Sequence, residues 1–299
     1  YTRSLGEDGF VKSGKAEGMI LATMLAAMCG KKYIGFIDSD NYFPGAVHEY
    51  VMEYCTGFKL CKSDFSMVRI AWHSKPKIVE SSLFFAKRGR ASEHTNKVLN
   101  ALISHYTGYG TEIIKTGNAG EHAMTMDLAA RLDYSSGYSI EPYHFINMLE
   151  RFGGILKNPS PEIMNDRIEV FQIESRNPHL HEVKGEEHVH EMSKAAMEVI
   201  FRSPITPQTL KEEILQELKN RKLLKEDQTI EKTIKYYPAI QNADLKSFKK
   251  SLKNQPYAEY FNGDVSKYEL KDEVKGLMRD TAKGKKDHLP DDPGKLAIK

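Results

Sequence analysis

A chain of 299 residues has room for one large domain or two ordinary ones, and 40% hydrophobic with 28% charged residues describes a globular protein rather than a disordered or collagen-like one. With 43 basic against 41 acidic residues the net charge is +2, too balanced to make nucleic acid the default partner. The longest apolar run, Gly18 to Cys29, falls well short of the roughly 20 residues that a membrane span needs, and no secretory leader pattern opens the chain.

Taken in chain order, Lys15 to Cys29 reads as a buried helix of small and apolar residues, stopped at Gly30. Tyr33 to Ile37 is a near-continuous apolar run, the pattern of a central parallel strand covered on both faces. Asp38-Ser39-Asp40 ends it, and a helix is expected from about Ala46 to Tyr54. Phe65 to His73 alternates as a strand, Ser82 to Ala86 is a second strand candidate, and Glu93 to Tyr106 has helical spacing. The polar loop Thr116 to Gly120 leads into an expected helix from Glu121 to Leu132, and another begins near Tyr138 and reaches Phe152. Ile168 to Glu174 is strand-like and Glu186 to Phe201 helical. Strands alternating with helices predict a layered α/β domain. From about Ser203 the chain turns Lys/Glu-rich, so residues 203–299 are expected to be a charged, largely helical or disordered extension. Cys29, Cys55 and Cys61 read as small core residues of a reducing, cytoplasmic-type compartment.

Five constellations carry chemistry. Asp38 and Asp40, one residue apart at the carboxyl end of an apolar strand, suit a hard divalent cation clamping a diphosphate. A phosphatase of the haloacid-dehalogenase type has Thr or Val where this chain has Tyr42. A calcium loop needs glycine where Phe43 stands, so neither rival fits, and a solvated turn is the plain alternative. Lys15, in the turn Ser13 to Met19, can meet a phosphate at a helix N-terminus. Lys87 to Glu93 offers Arg90, Ser92 and the first N–H groups of a helix, with Asn96 one turn on, although Ser92 would serve equally as an N-cap. The loop Thr116 to His122 is glycine-punctuated, and Glu141 opens a helix at which a carboxylate also suits the dipole. His179 and His181 lie in Asn-Pro-His-Leu-His and offer imidazole ligands.

The ordered strings Ser-Gly-Lys-Ala-Glu-Gly-Met, Gly-Phe-Ile-Asp-Ser-Asp-Asn-Tyr-Phe-Pro-Gly, Thr-Gly-Asn-Ala-Gly-Glu-His-Ala-Met, Gly-Tyr-Ser-Ile-Glu-Pro-Tyr and Asn-Pro-His-Leu-His-Glu resemble the mannosyl-3-phosphoglycerate synthase family from about residue 8 to residue 200. The resemblance implies a retaining GT-A-like glycosyltransferase with a Rossmann-like, mixed, mainly parallel sheet and helices on both faces, over residues 1–202. It implies transfer of mannose from GDP-mannose to the 2-hydroxyl of 3-phosphoglycerate, with Mg2+ or Mn2+ as cofactor. Carried over by position, Asp38 and Asp40 with His179 or His181 would hold the metal. Lys15, Glu17, Asp38 and Ser39 would line the donor. Gly89, Arg90, Ser92, Asn96 and Asn118 would hold the acceptor, and Glu141 would sit by the acceptor hydroxyl or the sugar. No nucleic acid or membrane partner is expected, and a homodimer is left open.

Only 37 residues precede Asp38, whereas the family carries over a hundred more there. The chain is therefore expected to lack amino-terminal strands and to leave a sheet edge unpaired. Two alternatives stand beside the transferase: a non-catalytic metal- and phosphoglycerate-binding remnant, and a related transferase using another sugar nucleotide.

Overall fold

The structure, a computed structural model, describes residues 6–7, 10–11, 14–41, 44–72, 76–79, 82–85, 90–156, 167–176 and 186–252. A short antiparallel pair, β1 (Gly6–Glu7) and β2 (Phe10–Val11), precedes α1 (Lys15–Met28). This helix buries Ala16, Met19, Ile20 and Met24. It ends because Gly30 takes a left-handed conformation, φ +60, which stops a helix at no side-chain cost. Next come β3 (Tyr33–Phe36), α2 (Pro44–Leu60) and β4 (Phe65–Ala71).

β4 is buried along its whole length, and its alternation divides the core. Phe65 and Met67 face a large cluster, while Val68 and Ile70 face a smaller one with Tyr50 and Tyr54 of α2. The large cluster is built by α3 (Arg90–Thr107), β7 (His122–Thr125), α4 (Met126–Ala129), α5 (Ile140–Phe152), α6 (Glu186–Arg202) and α7 (Gln208–Asn220). Helices therefore cover both faces of the sheet, as expected of a layered α/β domain. The strand order is β3-β7-β4-β9, with β9 spanning Ile168–Glu174. β7 runs antiparallel to both β3 and β4, and β4 runs parallel to β9, so three of the four strands share one direction in a mixed sheet.

Several expectations change. Tyr33 to Ile37 is not a strand covered on both faces: β3 lies at the sheet's edge, and Tyr33 is 50% exposed. Among the described strands nothing pairs with its outer side. The helix expected from Glu121 is a strand first, because β7 is hydrogen-bonded on both sides within the sheet. Only then does Thr125 cap the single turn of α4 by accepting from the Leu128 N–H. Cys55 is exposed on α2, and Cys29 and Cys61 are half-buried, so none is a core residue; among the described residues all three are free thiols.

The compact unit also runs past residue 203, to Ala243. Leu210, Ile214 and Leu218 of α7 join the large core. Beyond α7 the backbone is tied down in turn. The Glu198 carboxylate accepts from the N–H groups of Thr233 and Ile234, and β10 (Tyr236–Tyr237) pairs with β8 (Tyr134–Ser135). The Ala239 N–H then donates to Asp133 Oδ1. A second unit contains the described residues 76–79, 82–85 and 244–252. Within it β5 (Pro76–Val79) and β6 (Ser82–Phe85) form a hairpin, and α8 (Leu245–Leu252) is capped by the Asp244 carboxylate.

Candidate active site

Three elements deliver charged side chains to one point. Asp38 follows β3, whose end is fixed by the Tyr54 hydroxyl donating to the Phe36 carbonyl at 2.8 Å. Asn41, just beyond, donates to the Tyr50 hydroxyl at 3.0 Å, so two α2 tyrosines hold both ends of the Asp38-Ser39-Asp40 segment. Lys15 opens α1, and Glu141 stands in the first turn of α5. Lys15 Nζ lies 2.9 Å from Asp38 Oδ1 and 2.8 Å from Glu141 Oε1. The Glu141 side chain is only 2% exposed. Burial alone would lower the Lys15 ammonium, but the carboxylates of Glu141 and Asp38 override it and hold the group above the usual lysine range.

The loop from Thr116 to Glu121 closes over this trio. Gly120 is the point of contact: a Cβ there would overlap Asp38 Oδ2 and sit 2.7 Å from Lys15 Nζ, so only glycine lets the backbone come so near. Asn96 Oδ1 accepts from the Gly117 N–H at 2.7 Å, which ties α3 to the same loop. Asn118 is 4% exposed, and neither atom of its amide finds a partner within the described residues. Glu121 is fully buried; burial, then the Asp38 charge, pushes its carboxyl up to about 8.

Of the sequence candidates, Lys15, Asp38 and Glu141 come together, with Asn118 and Asn96 tied to the loop beside them. Asp40 is half-buried two residues from Asp38, and Ser39 is exposed. Glu17 is fully buried and accepts from the Tyr237 hydroxyl. Ser92 lies nearly buried in the first turn of α3, which Arg90 opens. The Arg90 side chain, Gly89, His179 and His181 lie outside the described residues. Among the described residues no three His, Cys, Asp or Glu side chains form a ready metal cage. Even so, the donors available, Asp38 and Asp40, are hard oxygens, and Asp38 already accommodates a cationic nitrogen at 2.9 Å.

Sequence reasoning missed Arg69 and His122. Arg69 is fully buried in the centre of β4, with its guanidinium 4.5 Å from the Phe145 ring centroid. Its Nη2 and Nε donate to the Thr116 carbonyl at 2.7 and 3.1 Å, and Nη2 also donates to the Glu141 carbonyl at 3.2 Å. His122 is its register partner on β7. The available signal was a single arginine inside the otherwise uncharged strand Phe65–Ala71.

Among the described residues no helix is long and apolar enough to cross a membrane. A sequence model of the mannosyl-3-phosphoglycerate synthase family matches residues 1–252, well beyond the motifs that stop near residue 200. The mannosyl-3-phosphoglycerate synthase of Pyrococcus furiosus is 45% identical over 255 residues, covering 85% of this chain and 64% of that protein. That of Aeropyrum pernix is 41% identical over 223 residues, covering 74% of this chain and 57% of the other. The chain thus spans less than two thirds of the length of these curated relatives. Among solved structures, glucosyl-3-phosphoglycerate synthase from Mycobacterium tuberculosis, in complex with Mn2+, UDP and phosphoglyceric acid, is 18% identical at a TM-score of 0.45, covering 66% of this chain and 56% of that one.

Proposed function

Because the chain belongs to the mannosyl-3-phosphoglycerate synthase family, we propose that it carries the cation and acceptor side of a retaining mannosyltransferase. The donor in this reading is GDP-mannose, the acceptor 3-phosphoglycerate, and the setting the cytoplasm. The observation that carries it is the convergence of Lys15, Asp38 and Glu141 under the Gly120 backbone. A hard cation and a lysine beside one another suit a leaving nucleoside diphosphate.

Asp38 and Asp40 would hold the divalent cation, Mg2+ or Mn2+, which supplies positive charge to the diphosphate as it leaves. Lys15 adds a second, fixed positive charge there, already oriented by two carboxylates, so little reorganisation accompanies bond breaking. The buried Asn118 amide, which finds no partner among the described residues, would bind the acceptor, and Asn96, Ser92, Arg90 and Gly89 would complete that site. Glu141 would orient the acceptor hydroxyl. Retention follows most simply from attack on the face the diphosphate leaves. The glycosidic C–O bond to phosphate breaks, the bond to the acceptor oxygen forms, and the leaving phosphate oxygen takes the acceptor proton.

The test is turnover of GDP-mannose with 3-phosphoglycerate and Mg2+ or Mn2+, followed as GDP release and a phosphorylated mannoside. Asp40→Ala should abolish it. Retained turnover in that variant would refute the cation role.

A further inference from the structure

The loop over the site is held by its carbonyl oxygens, from two residues facing each other across the sheet. Arg69 on β4 and His122 on β7 are directly paired in register. Arg69 takes the near end of the loop, donating twice to the Thr116 carbonyl. His122 takes the far end: Nδ1 lies 3.0 Å from the Gly120 carbonyl and 3.2 Å from that of Ala119. Gly120 is the residue whose backbone rests against Asp38 and Lys15. We infer that Arg69 and His122 are positioning residues: they set the Thr116–Gly120 loop, and through Gly120 the Lys15–Asp38 pair, without touching substrate. The consequence for transfer rests on the mannosyltransferase reading; the bracing itself does not.

The chemistry of each side chain matches this role. A guanidinium fork can meet one carbonyl with two N–H groups and still reach the Glu141 carbonyl, so one side chain fixes both the loop and the start of α5. His122 is fully buried, and burial, with His144, Arg69 and Lys15 near it, holds the ring neutral, well below the usual histidine range. A neutral imidazole has a single N–H. Two carbonyls at Nδ1 require the proton there, and Nε2 is left buried with no hydrogen-bond partner among the described residues. A ring that only filled space would not need that tautomer.

The two amide variants separate bracing from packing. Asparagine can place its Nδ2 near the position of Nδ1, whereas glutamine reaches toward Nε2. Hydrogen exchange of the amides in residues 116–121 is then compared in the full chain, with melting temperatures as a check on folding. His122→Asn should stay near the parent, while His122→Gln should exchange about tenfold faster or more, as should Arg69→Lys. Equal acceleration in both histidine variants would overturn the proposal. If neither variant folds, long-range nitrogen–proton NMR of the parent ring decides: Nδ1–H supports bracing, and Nε2–H refutes it. None of these readouts uses substrate, so a failed turnover assay would sink the mannosyltransferase reading and leave this result standing.

Discussion

The hydroxyl of Tyr237 donates to Glu17 Oε1 at 2.7 Å, joining residues 220 positions apart inside the core. Glu17 sits in the first turn of α1, two residues from Lys15, where a carboxylate suits the helix dipole. It is nonetheless fully buried, and its Oε2 has no hydrogen-bond partner among the described residues. The phenol therefore satisfies a buried charge. It fastens the segment after α7 onto the helix that presents Lys15, while the β8–β10 pairing ties the same segment to Tyr134 and Ser135.

Tyr237→Phe keeps the ring and removes only that donor, leaving a buried carboxylate poorly satisfied. The expected loss is about 1–3 kcal/mol of unfolding free energy. Urea denaturation checks it: the midpoint should fall with the slope unchanged. Combining Tyr237→Phe with Glu17→Leu should cost less than the sum of the two single changes, since the orphaned charge is gone. Strict additivity would mean that the two side chains are not coupled.

Lys15 stands between two carboxylates, and one of them, Glu141, is almost wholly buried. Lys15→Met should therefore destabilise through an uncompensated charge rather than through lost packing. Breaking a fully buried pair costs about 3–5 kcal/mol, and the 26% exposure of the Lys15 side chain brings the expected loss to about 2 kcal/mol. Lys15→Met with Glu141→Gln should recover part of it. A double-mutant cycle by chemical denaturation reads the coupling, and a cycle that closes to zero would dissolve the ion pair as a structural element.

How far these contacts were legible in the sequence depended on their range. Asp38, Lys15 and Glu141 announced themselves because each ends or opens an element, where charge is locally conspicuous. The helices α1, α3, α5 and α6 followed from apolar spacing, which is a local property. The strand β7 did not, because His122 to Thr125 is set by pairing with strands that lie 86 and 55 positions away in the Phe36 and Val68 registers. Tyr237 was hidden for the same reason: in a Lys-rich stretch, one tyrosine reveals nothing of a carboxylate at the other end of the domain. Arg69 was visible as a charge in an apolar strand, yet its partners are carbonyl oxygens, which carry no sequence signal.

Gly120→Ala tests the closeness of the loop to the site. Its Cβ would overlap Asp38 Oδ2 and crowd Lys15 Nζ, so either the loop or the ion pair must move. We expect a folded protein that binds Mn2+ about tenfold more weakly, or worse, by titration calorimetry, since the carboxylate would be displaced by a fraction of an ångström in a geometry-sensitive site. Gly18→Ala is the control, because none of the described residues lies within 4 Å of a Cβ there. In the interior of α1 it should be neutral or stabilising by up to about 1 kcal/mol. Equal Mn2+ affinity in Gly120→Ala and the parent would separate this loop from the cation site proposed at Asp38 and Asp40.

His144 supplies a pH dependence whose sign follows from its surroundings. It is fully buried in α5, edge-on to the rings of His122 and Tyr134, and burial, then the Arg69 charge, lowers its pKa to about 3. In the unfolded chain an imidazole takes up its proton as the pH falls through about 6.5. Between those values the unfolded state binds more protons than the folded one. The contribution of His144 is therefore whole above pH 6.5 and is lost on acidification, by up to about 1.4 kcal/mol per pH unit. His144→Phe retains a ring of similar shape and removes the titration. Unfolding free energies measured from pH 7 to pH 5 should fall more steeply in the parent, by about 2 kcal/mol at the acid end. His122 is lowered in the same direction, with His144 among the groups that lower it, so the difference between the two curves reports His144 together with its coupling to His122. Superimposable curves would mean that the buried ring accepts a proton in the folded state, and that the core around Arg69 tolerates a second positive charge.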